Sequence, residues 1–560
     1  MAVWGRLADR LLGLPEVPES NVRIARDLRV PMPDGVVLIA DLHRPRGAGP
    51  MPVVLVRTPY GKRQPVIRLL AGVLARRGFQ VVVQNVRGVL GSGGEFRAFH
   101  SEKDDGLATL KWVRAQPWCD GRVAMAGASY LGFAEWAVAP YADPPLEALG
   151  LGVTASEFVS SFYPGGALAL HNTLIWSSSM GTQGDAGRPL SDRLLHNRRV
   201  RRAMRYLPVG EADTAAIGRP EPFLREVAAH AGHGDDFWEA TDHSAAVPAT
   251  TSPATMVTGW WDLFLRGQLR DFAALHDAGR LVRITIGPWG HDTKALRATL
   301  ADQVSWLEAH LNGDKAQLRR APVRLHLQKA DRWLDFDQWP PPETTPTPLH
   351  LSQPLAWHAP LPPSTPAEAD PADGVSGAGD AVGVVTFTYD PLDPTPAAGG
   401  PLLAPGKGRQ RDNTPVERRQ DVVVLSGAPL ERDLDLIGPV SATIHVRTST
   451  GHGDLFVRLC DVDRDGVSRN VTDGIFRLTP DQAGADGVVR AEIEMHPTGY
   501  RFLRGHRLRI MLAGGAFPRF ARNHGTGEPA GRAVASRRIR FEVFRDAARP
   551  SAVHLPVWDA

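Results

Sequence analysis

Two cysteines in 560 residues, Cys119 and Cys460, exclude a disulfide framework, and the lack of any CxxC pair excludes a cysteine-based zinc site. Charge of one sign is scarce as well. Lys and Arg total 64 against 61 Asp and Glu, a formal net charge of +3, so no nucleic-acid-binding surface is expected. No apolar run is long enough to span a bilayer, and no membrane partner is expected. The N-terminal stretch MAVWGRLADRLLGLPEVPES is broken by Arg6, Asp9 and Arg10, so it lacks the apolar core of a signal peptide. The expectation is a cytoplasmic protein, with export without a cleaved signal left open. No internal repeat occurs. What is present is ordinary for a globular chain, with 43% hydrophobic and 22% charged residues. The length is too great for one hydrophobic core, so two or three domains are expected.

The first part of the chain alternates between two periodicities. Val30 to Arg44 reads as a hairpin turning at Pro33-Asp34-Gly35. Val53 to Val56 is a continuous apolar run of the kind found in a strand buried on both faces. Helical spacing over Val66 to Arg77 follows, then a buried strand over Phe79 to Gln84 and a helix over Asp104 to Arg114. Another strand leads into Gly127-Ala128-Ser129. Strand, helix, strand, helix, strand predicts a doubly wound, mainly parallel sheet with helices on both faces. From Phe158 to about Phe237 the strand pattern stops, which predicts a helical cap with helices around Ala167–Ser179 and Pro222–Ala231. Its arginines, Arg193, Arg198, Arg199, Arg201, Arg202 and Arg205, read first as a solvated helix face and second as an attractor of anionic substrates. The sheet resumes with strands at Thr255–Thr258 and Arg283–Ile286, and a helix around Gln303–Leu311 closes it. Beyond about Arg320, short alternating runs between Gly, Pro and Asp turns predict an all-β sandwich or jelly roll. The proline-rich stretches Pro340–Pro371 and Pro391–Gly408 read as extended surface loops. The expected boundaries are 1–157 and 245–319 for the α/β domain, 158–244 for the cap and 320–560 for the jelly roll.

Three polar residues fall just past predicted parallel strands. Ser129 sits at a tight strand-to-helix turn, where a serine hydroxyl is lifted from the sheet beside backbone N–H groups. Asp262 follows Gly259-Trp260-Trp261, and His291 follows Gly287-Pro288-Trp289-Gly290. Each has a plain structural alternative. Ser129 suits a helix cap, Asp262 an N-cap before Leu263-Phe264-Leu265, and His291 a turn beside Pro288. Together, in the order Ser, Asp, His, they match the chain order of α/β-hydrolases. In that reading His291 takes the Ser129 proton and Asp262 orients His291.

The motifs carry a family likeness. Gly127-Ala128-Ser129-Tyr130-Leu131-Gly132 is similar to the G-x-S-Y-x-G motif of the cocaine esterase and X-prolyl dipeptidyl aminopeptidase family of α/β-hydrolases. Gly259-Trp260-Trp261-Asp262 and Gly287-Pro288-Trp289-Gly290-His291 resemble its other two motifs, and Arg57-Thr58-Pro59-Tyr60-Gly61-Lys62 resembles its R-x-P-Y-x-K stretch. The likeness extends to Gln116-Pro117-Trp118, Asp390-Pro391-Leu392-Asp393-Pro394, Asn470-Val471-Thr472-Asp473-Gly474 and Phe517-Pro518-Arg519-Phe520. It implies an oxyanion hole made by the Tyr60 hydroxyl and the Tyr130 N–H. It also implies a C-terminal jelly roll, and catalysis without a metal or organic cofactor. One departure is Asn85, where relatives carry aspartate, and it implies a changed polar contact near the sheet edge.

Family members that act on free α-amino groups need carboxylates to pair with the ammonium, partly just after the catalytic aspartate. Here Leu263, Phe264, Leu265 and Arg266 follow Asp262. The resemblance therefore implies a small-molecule ester substrate with an apolar acyl group, lined by Trp176 and Phe264, with Trp261 as a third candidate. Core packing is the alternative for all three aromatics. The rivals are an X-prolyl dipeptidyl aminopeptidase-like peptidase or amidase, and an inert binding protein that uses the jelly roll. A homodimer stays open. Asp461-Val462-Asp463-Arg464-Asp465-Gly466 imitates a calcium loop, but Thr472 stands where its glutamate belongs, so it reads as a turn.

Overall fold

The computed structural model describes residues 9, 12–14, 17, 22–47, 49–182, 190–232, 234–316, 318–352, 354–357, 383–403 and 408–559. Most of the N-terminal stretch lies outside the described residues. So do residues 353, 358–371 and 404–407 of the two proline-rich connections and the side chain of Arg193. The chain forms two compact units. One holds Met1–Phe158, Asp236–Arg324 and Asp335–Asp337, and the other holds Val159–Asp235, Leu325–Leu334 and Gln338–Ala560. No helix among the described residues is long and apolar enough to cross a membrane.

The first unit is an α/β-hydrolase sheet. Its strands are β1 (Val22–Pro31), β2 (Val37–Pro45), β3 (Met51–Thr58), β4 (Gln80–Asn85), β5 (Cys119–Ala128), β6 (Leu149–Gly152), β7 (Ala254–Trp261) and β8 (Val282–Gly290). They lie in the order β1-β2-β4-β3-β5-β6-β7-β8. β1, β2 and β4 pair antiparallel, and every pair from β4 to β8 is parallel. β3 is buried along nearly its whole length because helices cover both faces, and this is why its sequence shows a run rather than an alternation. The helices are α1 (Pro65–Arg76), α2 (Glu102–Arg114), α3 (Tyr130–Trp136), α4 (Leu265–Asp277) and α5 (Thr293–Leu311). α5 begins at Asp292, whose carboxylate accepts from the N–H groups of Lys294 and Ala295.

The second unit combines helices of 159–235 with two antiparallel sheets. The larger sheet has Val384–Tyr389, Ile539–Phe544, Ser441–Thr448, Ala552–Trp558, Leu434–Gly438 and Thr498–Phe502 in that order. The smaller has Val422–Ser426, Arg507–Ala513, Gly453–Val462 and Ser468–Leu478. Val385, Phe387, Ala442 and Ile444 from the larger sheet share one buried core with Leu455, Val457 and Leu512 from the smaller, so the sheets stack face to face. The helical segment is joined to these strands. The Ala521 N–H donates to the Leu168 carbonyl at 2.8 Å, and the Gly210 N–H donates to the Gly531 carbonyl at 3.0 Å.

One expectation is corrected here. The proline-rich connection from Pro340 is not a loop throughout, because Thr344–His350 is a strand paired to Ala552–Trp558. Pro346 and Pro348 share one direction of the pleat, and Pro346 faces Pro556, so the ladder needs no N–H at those positions. The calcium-like stretch is a turn between two strands, with Asp463 Oδ1 accepting from the N–H groups of Asp465 and Val467. Arg198, Arg199, Arg201 and Arg202 are exposed on the helix Leu190–Ala203, which is the solvated face expected.

The loop after β6 bears on the site. Val153 takes a φ of 40°, a conformation a β-branched residue rarely adopts. The loop is held by α4. Gln268 Oε1 accepts from the Thr154 N–H at 3.3 Å, and Asp271 accepts from both the N–H (2.8 Å) and the hydroxyl (2.5 Å) of Ser156. Burial pushes the Asp271 carboxyl up to about 7, Glu157 adds to the rise, and the Ser156 hydrogen bonds and Arg270 oppose it. A carboxyl raised in the folded state stabilises the fold below its unfolded pKa and loses that contribution as pH rises through the folded value. The contribution at stake is at most about 4 kcal/mol. Thermal stability should therefore fall from about pH 4 to about pH 7 and level off above that. Asp271→Asn, which mimics the protonated form, should show a flatter profile. Parallel melting curves for the two proteins would refute this assignment.

Candidate active site

Ser129 sits between β5 and α3 with φ 59° and ψ −126°, a left-handed conformation that costs a non-glycine residue about 1–3 kcal/mol. Neighbouring groups hold it there. Its N–H donates to the Gly152 carbonyl at 2.8 Å, and its own carbonyl accepts from the Thr154 hydroxyl at 2.8 Å. Gly132 is required by the same approach, since a Cβ there would lie 2.6 Å from the Thr154 methyl. The turn sets Ser129 directly before the first residue of α3, Tyr130.

Asp262 and His291 meet directly. His291 Nδ1 donates to Asp262 Oδ2 at 2.8 Å, and Asp262 is fully buried. The other oxygen, Oδ1, accepts from the Phe264 N–H at 2.8 Å. Asp262 thus contacts His291 and closes a short turn onto Phe264, but the N-cap of α4 is Phe264, so the helix-cap alternative for Asp262 does not hold. The two glycine-rich motifs explain the aim. β7 and β8 stay in register to Gly259 opposite Gly287, then shift so that Trp261 faces Gly290. The extra residue in β8 is a bulge, a device that redirects the side chain beyond it. Gly259 is obligatory there, because any Cβ would strike the Trp289 backbone, while the Trp289 indole donates to the Thr258 carbonyl at 2.8 Å. With Nδ1–H committed to Asp262, the imidazole carries its basic lone pair on Nε2.

Tyr60 lies on the loop that leaves β3, the strand beside β5. Leu55 pairs with Met125, so β3 and β5 end three residues later at the same level, at Thr58 and Ala128. The loop is pinned at several points. Asn85 Oδ1 accepts from the Lys62 N–H at 2.6 Å, and Lys62 Nζ pairs with Asp27 at 2.9 Å. The Asn85 amide also donates to the Leu90 carbonyl at 2.9 Å, a bond an aspartate cannot make. Asn85 lies at the end of β4 inside the sheet, between β2 and β3, rather than near the sheet edge as expected. Tyr130 offers its backbone N–H at the start of α3, while its side chain is buried and bound elsewhere.

An aromatic row runs beneath these residues. The Phe264 ring meets the His291 ring edge-on at 5.7 Å and stacks on Phe158 at 4.2 Å. Phe158 packs on Phe99 at 5.0 Å, and Phe99 stacks on Tyr130 at 4.8 Å. Trp261 is buried at the end of β7. Trp176 belongs to the second unit, where it packs edge-on against Phe223 at 4.6 Å. Several supporting residues escaped the sequence reading: Thr154, Asp271, Arg57 and Glu102. Arg57 lies within one of the family-like motifs, and Glu102 looks like an ordinary acid in the first turn of a helix.

Comparison with known proteins agrees with this architecture. Residues 34–293 match the family model of the X-Pro dipeptidyl-peptidase (S15 family), and residues 316–554 match its C-terminal non-catalytic domain. The chain is 30% identical to the cocaine esterase of Rhodococcus sp. (strain MB1 Bresler), covering 96% of this chain and 99% of that one. Two solved structures share the fold across 97% of this chain and 98% of their own. They are an aminopeptidase from the marine sediment archaeon Thaumarchaeota archaeon (TM-score 0.79, 21% identity) and an α-amino acid ester hydrolase (TM-score 0.78, 20% identity). With the motifs, both domains and an end-to-end relative in agreement, the chain belongs to the cocaine esterase and X-Pro dipeptidyl-peptidase (S15) family of serine hydrolases.

Proposed function

We propose that this protein hydrolyses small carboxylic esters with apolar or aromatic acyl groups through an acyl-enzyme. The observation that carries the reading is the 2.8 Å bond between buried Asp262 and His291, set two strands from a serine held in a strained turn. Ser129 Oγ attacks the acyl carbonyl while His291 Nε2 accepts its proton. Asp262 keeps the imidazole in the required tautomer and stabilises the imidazolium. The Tyr130 N–H and the Tyr60 hydroxyl donate to the oxyanion, an electrostatic contribution worth about 10²–10³ in kcat per donor. The imidazolium then protonates the leaving alcohol, and a water activated by the same nitrogen releases the acid. No metal or organic cofactor is called for in these steps.

The ester preference has its own support. Phe264 beside His291 and Trp261 on β7 offer apolar surface for an acyl group. The acids on the segments bearing Ser129's neighbours, Asp262 and His291 are engaged. Glu157 pairs with Arg270, Asp271 binds Ser156 and Asp292 caps α5. A substrate ammonium would have to displace one of these partners. The second reading, an X-Pro dipeptidyl-peptidase, is favoured by the description of both matching family models.

Two experiments test this. A fluorophosphonate should label the wild-type protein and leave Ser129→Ala unlabelled, with nitrophenyl ester turnover reduced by at least about 10³. Labelling that survives in Ser129→Ala would remove the serine from its role. In a panel of nitrophenyl esters graded by acyl bulk, run beside a Gly-Pro anilide, kcat/KM should be highest for an apolar or aryl ester. Faster cleavage of the anilide would hand the assignment to the peptidase reading.

A further inference from the structure

We propose that Glu102 is a positioning residue for the oxyanion hole, fixing the spacing between the two elements that carry its donors. The inference rests on the esterase reading above. Glu102 is the first residue of α2 and only 1% exposed. Its two carboxylate oxygens face different partners. Oε1 accepts from the Tyr130 hydroxyl at 2.9 Å, and Oε2 accepts from Arg57 Nη1 at 2.6 Å. Tyr130 directly follows Ser129, and its backbone N–H is one proposed donor. Arg57 stands three residues before Tyr60, whose hydroxyl is the other. One rigid carboxylate therefore joins the end of β3 to the start of α3.

Each arm is braced so that a shift of the carboxylate would be felt at the far end. The Tyr130 hydroxyl also accepts from the Phe99 N–H at 3.0 Å, and its ring stacks on Phe99 at 4.8 Å. Arg57 is fully buried, donates through Nη1 to the Glu102 carbonyl at 2.8 Å, and through Nε to Gln84 Oε1 at 3.0 Å. Gly106 lies against the guanidinium, where a Cβ would come within 3.1 Å of Nη1. A forked, charged acceptor is the group that can serve an arginine and a phenol at once at short range. None of these groups reaches the reacting atoms in the proposed reaction. Their effect passes through the placement of two N–H and O–H donors, and catalysis is sensitive to misplacement of about 1 Å.

Tyr130→Phe cuts the Oε1 arm and leaves the backbone N–H in place. Glu102→Gln is the second variant and breaks the bridge, since it removes the charge and its single amide oxygen cannot accept from Arg57 and the Tyr130 hydroxyl at once. With active sites counted by fluorophosphonate titration, each should lower kcat by about tenfold for a nitrophenyl ester while KM stays within about twofold. The loss from Tyr130→Phe should shrink to about twofold when it is introduced into Tyr60→Phe, because the spacing of a donor already removed no longer matters. A variant with a lower melting temperature but wild-type kcat per titrated site overturns the proposal, as do fully additive losses. Tyr60→Phe with unchanged kcat also overturns it, whereas the serine reading is judged separately by the labelling of Ser129→Ala.

Discussion

The proposed chemistry depends on one constraint, the holding of Ser129 at a φ of 59°. A strand passing straight into a helix would lay the serine along the sheet edge, and the left-handed turn lifts it out. The cost, about 1–3 kcal/mol, is offset by fixed neighbours rather than by the serine itself. Gly152 and Thr154 bind its N–H and carbonyl. Behind the turn, Gln303 on α5 donates to the carbonyls of Gly127 and Gly150, tying β5 to β6 just where the turn begins. Glu135 on α3 accepts from the Gly150 N–H at 3.0 Å. Burial pushes that carboxyl well above its ordinary range, opposed by the backbone hydrogen bonds it accepts.

Four buried acids in this unit show how position decides role. Asp262 faces an imidazole, Glu102 a guanidinium and a phenol, Asp271 a serine, and Glu135 a backbone amide. A buried carboxylate is tolerated as an anion only where a cation or several donors meet it. Glu102 meets that condition. Burial raises its carboxyl too, but the Arg57 charge and the Tyr130 hydroxyl pull against the rise. Glu135 and Asp271 lack a cation in direct hydrogen-bond contact, and both are pushed up by burial. Glu102 thus faces a cation, while Glu135 and Asp271 bind neutral hydrogen-bond donors. That division follows from solvation alone and needs no special geometry at the reacting centre.

The parts of this arrangement legible in the sequence are those with local signals. The buried runs of β3, β4 and β5, the glycine-flanked serine and the two tryptophan-glycine motifs each stand out within a dozen residues. The bulge that aligns His291 was implicit in Gly287-Pro288-Trp289-Gly290, though its register needs the partner strand to be seen. Glu102 was not legible, because its importance lies in contacts 45 and 28 residues away. In the second unit the strand Ser468–Leu478 was missed for a related reason. Asn470, Thr472 and Asp473 are buried on it and satisfied by distant groups, Asp473 by Arg458 and Arg519. A strand whose polar residues face inward shows no hydrophobic alternation. The strand Thr344–His350 was hidden by prolines that its one-sided pairing tolerates.

Whether such a site favours esters or amides turns on two separable demands. Attack and oxyanion stabilisation are common to both, and the same serine, imidazole and donors serve each. An amide adds the need to protonate a poorer leaving group, and in the proposed mechanism the same imidazolium meets that need for either substrate. The shared machinery therefore cannot discriminate between them. Discrimination falls to groups that bind the substrate, and for a peptide with a free α-amino group that means an uncommitted carboxylate. Leu263, Phe264, Leu265 and Arg266 supply none after Asp262, and Glu157 already faces Arg270. Burying an ammonium without a counter-charge costs far more than burying a methyl or phenyl group. That asymmetry in desolvation, rather than any difference in the reacting atoms, is the physical basis of the proposed preference for apolar esters.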